Sequence, residues 1–311
     1  MNEEKFLAIH NRILPFIHET PVMTSRLLNE ISGGDLHFKC ENFQRMGAFK
    51  MRGAANAILS LSIDEKSRGV VTHSSGNFAQ ATAFSGQLMG VTTYIVMPNN
   101  APLVKKDAVK AYGGIITECG PSIAQREAAV EDVIMQTGAI SLHPSNQDEV
   151  ILGNSTIGVE FFNQVSDLQR IIVPVGGGGM IAGIALAAEA FSETCEVIGA
   201  EPAAAADAQR SLREGKIQKN DTANTIADGL RTHLGDRNFP IIQRLVKDII
   251  TVEEDEIIIA MKLIWERLKI IIEPSAAVAV AVALKEKKAV RKGKTGIVLS
   301  GGNVDLGNLP F

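Results

Sequence analysis

The feature that most restricts this chain is a repeated switch of hydrophobic period. Between about residue 36 and residue 200, β-branched runs alternate with helical stretches: LHFKC and then 50 to 60, GVVTH and then 77 to 89, TTYIVM and then 102 to 111, GIITEC and then 121 to 137. The pattern resumes with IIVPV, a helix from about 179 to 190 and CEVIGAE, and two helical stretches over about 254 to 286 lead into TGIVLS. Strands separated by helices pair in parallel through crossovers, and a parallel sheet needs cover on both faces. The expected fold is therefore α/β, with mostly parallel sheets flanked by helices.

A chain of 311 residues exceeds one comfortable core. Turn-forming residues cluster in SRGVVT near residue 67 and in HPSNQD at 143 to 148, so two lobes are expected. Residues 1–68 and 148–311 form the larger and residues 69–147 a smaller, mobile one. With no Pro-rich or Ser-rich linker, the lobes should pack closely around a cleft. A net charge of -4 offers nothing to nucleic acid or an anionic membrane, which leaves a small molecule as partner. Cys40, Cys119 and Cys195 are odd in number and lack C-x-x-C spacing, as expected of free thiols in a reducing compartment. With no secretory signal and no apolar run of membrane-spanning length, the cytoplasm is the expected location.

Three strand ends carry small polar corners. IIVPV ends in Gly176, Gly177, Gly178 and Gly179 ahead of the helix MIAGIALAAEA, which suits a phosphate: glycines let backbone N–H groups converge, and the helix adds its positive end. THSSGNFAQA places Ser74, Ser75, Gly76 and Asn77 at a helix start, where they either bind a carboxylate or merely cap the helix. VLSGGNVDL sets Ser300 and Asn303 after the last strand. In an open α/β sheet, ligands gather beyond the carboxyl ends of the strands, so the three corners could converge on one complex. A rival reading is a dinucleotide site, since Gly177, Gly179 and Ala182 satisfy G-x-G-x-x-A and Glu201 ends the next strand.

Lys50 lies in GAFKMRGA between Phe49 and Met51. An isolated lysine is more often a solvated helix residue. In an apolar pocket its ammonium is disfavoured, which raises the share of free amine available for imine formation.

ENFQRMGAFKMRGA, THSSGN, VPVGGGGMIAGIA and VLSGGN, in that order, resemble the fold-type-II enzymes that use pyridoxal 5'-phosphate, in the branch of serine racemases and threonine/serine dehydratases. YIVMPNNAPLVKKDAVKAYGG, TIADGLRTHLGDRNFPII and WERLKIIIEPSAA are similar to the racemases in particular, and the likeness runs from about residue 10 to the end. It implies that Lys50 bonds the cofactor, Phe49 packs on its ring and Asn77 meets its 3-oxygen. Gly176 to Gly179 with Met180 hold the phosphate, and Ser300 meets the pyridine nitrogen. Ser74, Ser75 and Asn77 receive the substrate carboxylate, Ser75 acts as the second base opposite Lys50, and Arg126 and Thr232 contact substrate or close the lobe. The resemblance also implies a divalent cation, Mg²⁺ or Ca²⁺, held by Glu201, Asp207 and the carbonyl of Ala205, and a symmetric homodimer. Gln80, Tyr112, Lys269 and Asn303 are similar to positions of a nucleotide (ATP) effector site. Met46 and Ala48, standing where many relatives carry hydroxyls, weigh against nucleotide activation. Phe78 replaces a histidine common in the substrate loop.

The function expected is dehydration of L-serine or L-threonine to a 2-oxo acid and ammonia, with two-base racemisation of serine. Alternatives are a 3-hydroxyaspartate ammonia-lyase on the same scaffold, a β-replacement enzyme, an NAD-dependent oxidoreductase built on the glycine corner, and a binding protein without chemistry.

Overall fold

The computed structural model describes residues 2–290 and 293–311. The chain opens with α1 (Glu3–Ile13), β1 (Val22–Thr24), α2 (Arg26–Ser32), β2 (Asp35–Cys40), α3 (Lys50–Ser60) and α4 (Ile63–Arg68). Strands and helices then alternate through β3 (Val70–His73), α5 (Asn77–Met89), β4 (Thr93–Pro98), α6 (Leu103–Ala111), β5 (Ile115–Cys119), α7 (Ile123–Thr137) and β6 (Ile140–Ser141). The remainder runs α8 (Asp148–Gln164), β7 (Leu168–Pro174), α9 (Gly179–Phe191), β8 (Glu196–Pro202), α10 (Asp207–Glu214), α11 (Phe239–Leu245), β9 (Val246–Val252), α12 (Glu254–Arg267), α13 (Pro274–Lys285), α14 (Lys287–Val290) and β10 (Lys294–Leu299).

Among the described residues the strands form two sheets, a six-stranded one in the order β1-β2-β10-β7-β8-β9 and a four-stranded one in the order β5-β4-β3-β6. Every pairing is parallel except that of β1 with β2. The expected α/β class is the one observed, and strands β7, β8 and β10 are buried along most of their length, as parallel strands covered on both faces must be. One core packs α12 and α13 against the larger sheet, and another packs α8 and α9 against its opposite face. Helix α13 reads PSAAVAVAVALK and is buried nearly throughout, because alanine and valine let it approach the sheet closely.

Helix α8 follows the HPSNQD turn directly and was invisible as a period in the sequence. Its DEVILGNSTIGVEFFNQ is buried from Val150 to Phe161 with few gaps, so polar and apolar residues alike face protein and no amphipathic stripe forms. It touches α3 closely: a side chain on Gly153 would come within 2.4 Å of the Arg52 carbonyl and 2.8 Å of the Gly53 Cα. No helix among the described residues is long and apolar enough to cross a membrane.

Candidate active site

Lys50 is the first residue of α3, and the segment before it is stitched to the end of β10. Ala48 bridges Gly301, the Phe49 N–H donates to the Ser300 carbonyl at 3.0 Å, and the Gly302 N–H donates to the Gly47 carbonyl at 2.9 Å. That pairing carries the lysine to the third corner. Its Nζ donates to the Pro144 carbonyl at 2.9 Å and lies 5.0 Å from the ring centre of Phe49 and 5.7 Å from that of Phe78. Burial pulls the amine down to about 8, against the opposing pull of Glu273. His143 shapes the loop that offers the Pro144 carbonyl, its Nδ1 accepting from the N–H groups of Ser145 and Asn146 at 3.2 and 2.8 Å.

The second corner meets the third through side chains. Asn77, opening α5, donates to both carboxylate oxygens of Glu273 at 3.2 and 3.1 Å, and the Asn303 amide donates to Asn77 Oδ1 at 2.9 Å and to the Met46 carbonyl at 2.9 Å. Glu273 is buried, and burial pushes its carboxyl up to about 7 although the Asn77 bonds work the other way. In the intervening loop the Gly76 N–H reaches Ser74 Oγ at 3.4 Å, whereas the Ser75 hydroxyl has no hydrogen bond among the described residues.

The glycine corner closes the group. Gly178 has φ 78, a left-handed conformation open to glycine, and is the N-cap of α9, whose first N–H groups have no helical acceptor. Asn238 braces the turn from behind, donating to the Gly177 carbonyl at 2.7 Å and the Ser145 carbonyl at 3.2 Å. A side chain on Gly177 would lie 2.4 Å from Ser145 Oγ and 3.2 Å from Thr232 Oγ1, and one on Gly176 would lie 3.3 Å from the same threonine oxygen. Residues 144 and 145 thus touch both the lysine and the glycine corner. The donor set fits a phosphorylated aldehyde: N–H groups at a helix start, a hydroxyl at Ser300 that has no hydrogen bond of its own among the described residues, and a weakly basic amine.

Not every candidate joins this group. Met180 is buried in the core beneath the corner, and Thr232 stands against the glycines. Arg126 lies on α7 and donates to the Pro121 carbonyl at 2.9 Å. Tyr112 stacks on Phe84 with ring centres 4.7 Å apart. Glu201, Ala205 and Asp207 form a separate buried group at the end of β8. The two Glu201 oxygens accept the N–H groups of Ala208 and Gln209 at 2.9 Å each, and Asn220 donates to Asp207 Oδ1 at 2.6 Å. Among the described residues Asp207 Oδ2 is buried without a hydrogen-bond partner, which fits a cation, although no group of three or more acidic, histidine or cysteine side chains is placed there to hold a metal ion.

Sequence reasoning passed over Glu273, whose place just before Pro274 at a helix start reads as an ordinary terminal charge. It also gave no role to Pro144, because a carbonyl acceptor leaves no mark in a sequence.

The chain matches the family of pyridoxal-phosphate dependent enzymes over residues 13–301. It is 46% identical to a serine racemase of Arabidopsis thaliana, with 99% of this chain and 97% of that protein covered. A beta-hydroxyaspartate dehydratase of Paracoccus denitrificans is 45% identical, with 99% and 98% covered. The structure of maize serine racemase superposes with a TM-score of 0.96 at 45% identity, covering 98% of this chain and 94% of that one.

Proposed function

The chain belongs to the pyridoxal-phosphate-dependent enzyme family, in its serine racemase and dehydratase branch, and from that membership we propose that it dehydrates 3-hydroxy amino acids and racemises serine. The observation that carries the reading is the setting of Lys50, an amine 5.0 and 5.7 Å from the centres of two phenylalanine rings and hydrogen-bonded to a backbone carbonyl at 2.9 Å. When bound, pyridoxal 5'-phosphate supplies an electron sink that makes the Cα–H bond of an attached amino acid acidic. The chain's own residues do the rest. Lys50, eased toward its neutral form by burial, takes the α-proton from one side. Ser75, with its hydroxyl uncommitted, delivers or removes a proton on the other, as inversion requires. Phe49 and Phe78 keep water from the amine, the N–H groups of Gly176 to Gly179 and Met180 hold the phosphate, and Ser74, Ser75 and Asn77 receive the substrate carboxylate. Ser300 offers the ring nitrogen a neutral hydroxyl where a carboxylate would hold a proton, a milder arrangement that favours prompt loss of a β-substituent.

Residues 69–147 act as the smaller, mobile lobe, and Arg126 and Thr232 meet substrate when it closes. Asp207, Glu201 and the Ala205 carbonyl take Mg²⁺ or Ca²⁺, with water completing a hard-oxygen shell. The enzyme works as a cytoplasmic homodimer. A second reading, ammonia-lyase activity on 3-hydroxyaspartate, is favoured by the likeness to the dehydratase of Paracoccus denitrificans at 45% identity. Incubation with serine, threonine and 3-hydroxyaspartate, with D-serine, pyruvate, oxobutyrate and oxaloacetate each measured, tests the proposal. D-serine with pyruvate supports the first reading, oxaloacetate alone the second, and no product from any substrate contradicts both.

A further inference from the structure

Behind the lysine lies a closed set of charges that the reaction does not use. Arg52, two residues along α3, is fully buried, as are Lys39, Glu41 and, within 1%, Glu160. The Arg52 fork donates to Glu41 through Nε and Nη2 at 2.7 and 2.9 Å, and to Glu160 through Nη1 and Nη2 at 2.6 and 2.8 Å. Lys39 Nζ completes the balance of two cations and two anions, donating to Glu160 at 2.6 Å, to the Thr20 carbonyl at 2.6 Å and to Gln164 at 2.9 Å. The carboxylates come from separate elements, Glu41 from the turn after β2 and Glu160 from α8.

Stability alone does not account for such a set, since apolar residues of similar volume commonly serve as well or better than a buried ion pair. What the fork supplies is direction. Residues two apart on a helix point about 200° from one another, so a guanidinium locked from two sides behind α3 sets how the opposite face meets the cleft. The first turn needs this, because Phe49 at the N-cap gives it no side-chain cap. We infer that Arg52, clamped between Glu41 and Glu160, is a positioning residue for Lys50: it fixes the rotation of the first turn of α3 and so the point at which the amine meets cofactor and substrate. The inference rests on Lys50 being the cofactor lysine.

The test uses full-length protein, cofactor-free and cofactor-loaded, in two variants. Arg52→Met with Glu41→Gln removes one charge of each sign and leaves the Lys39–Glu160 pair intact; Arg52→Lys keeps the charge and loses the fork. In cofactor-free protein, the rate of reductive methylation of Lys50 is followed against pH by mass spectrometry. In loaded protein, borohydride trapping of pyridoxal 5'-phosphate on Lys50 is followed with kcat and KM. The expected result is a folded double variant whose methylation profile is displaced and whose trapping rate and kcat fall about 10- to 100-fold while KM changes little, with Arg52→Lys between it and the wild type. A folded variant with the wild-type methylation profile and trapping rate overturns the inference, whatever its melting temperature. If the double variant does not fold, Arg52→Lys decides by the same readouts. A wild type that traps no cofactor on Lys50 overturns the functional reading, and the inference with it.

Discussion

The side-chain amide of Asn77 lies 3.2 and 3.1 Å from the two carboxylate oxygens of Glu273, joining the start of α5 beside the four-stranded sheet to the start of α13 beside the six-stranded one. Glu273 sits between an amide that favours its charge and a burial that opposes it more strongly, hence a carboxyl raised to about 7. A raised carboxyl gives stability that is full below the ordinary value of 4.5 and is lost as pH rises through about 7. Glu273→Gln keeps an acceptor for Asn77 and cannot ionise. Cofactor-free wild type should therefore lose melting temperature relative to this variant between about pH 5 and about pH 8. A constant difference across that range contradicts the assignment.

The glycine corner admits no side chain at its last position. A side chain on Gly179 would stand 2.6 Å from the Ser145 carbonyl oxygen and 2.8 Å from its Cα, which are backbone atoms and yield little. Gly179→Ala should displace the loop that also offers Pro144 to Lys50 and cost about 1–3 kcal/mol of cofactor affinity, roughly 5- to 150-fold. Titration of cofactor-free protein with pyridoxal 5'-phosphate measures this, and an unchanged dissociation constant would remove the corner from the site.

Phe78 presents an apolar ring 5.7 Å from the lysine nitrogen and is itself 2% exposed. Phe78→His puts a polar ring there and relieves part of the desolvation that lowers the amine to about 8. The pH profile of Lys50 labelling in cofactor-free protein should move upward. The ratio of kcat/KM for serine to that for 3-hydroxyaspartate should change by about tenfold or more, since a new donor discriminates among polar substrates. If neither moves, Phe78 is core filling only.

At the end of β8, Asp207 Oδ2, without a hydrogen-bond partner among the described residues, marks the oxygen that a cation would satisfy. Mg²⁺ or Ca²⁺ at about a hundredfold excess over its dissociation constant should stabilise the wild type by about 2.7 kcal/mol in thermal melts. Asp207→Asn should abolish that gain. Equal stabilisation of both proteins would place the cation elsewhere.

Much of this is legible in the sequence, and unevenly so. Strands such as IIVPV and helices such as Asn77–Met89 announce themselves because sheet and helix each bury one kind of periodic pattern. The three corners are legible as a set: each alone reads as a cap or a turn, and only three of them beyond the carboxyl ends of parallel strands point to one ligand. Helix α8 could not, since burial on all sides erases the stripe. The partners of Lys50 could not either: Pro144 acts through a carbonyl, and Glu273 stands 223 residues away in sequence from the lysine whose charge it favours. Arg52 has no reading of its own in the sequence, and only the fold brings Glu41 and Glu160 to it.

Whether the amine of Lys50 bonds pyridoxal 5'-phosphate is decided by reduction with borohydride followed by peptide mass spectrometry. That bond requires yellow protein that bleaches on reduction, with the cofactor fixed to Lys50 in the wild type and no product formed from serine by Lys50→Ala. Active wild-type protein whose Lys50 remains unmodified after reduction would rule that bond out.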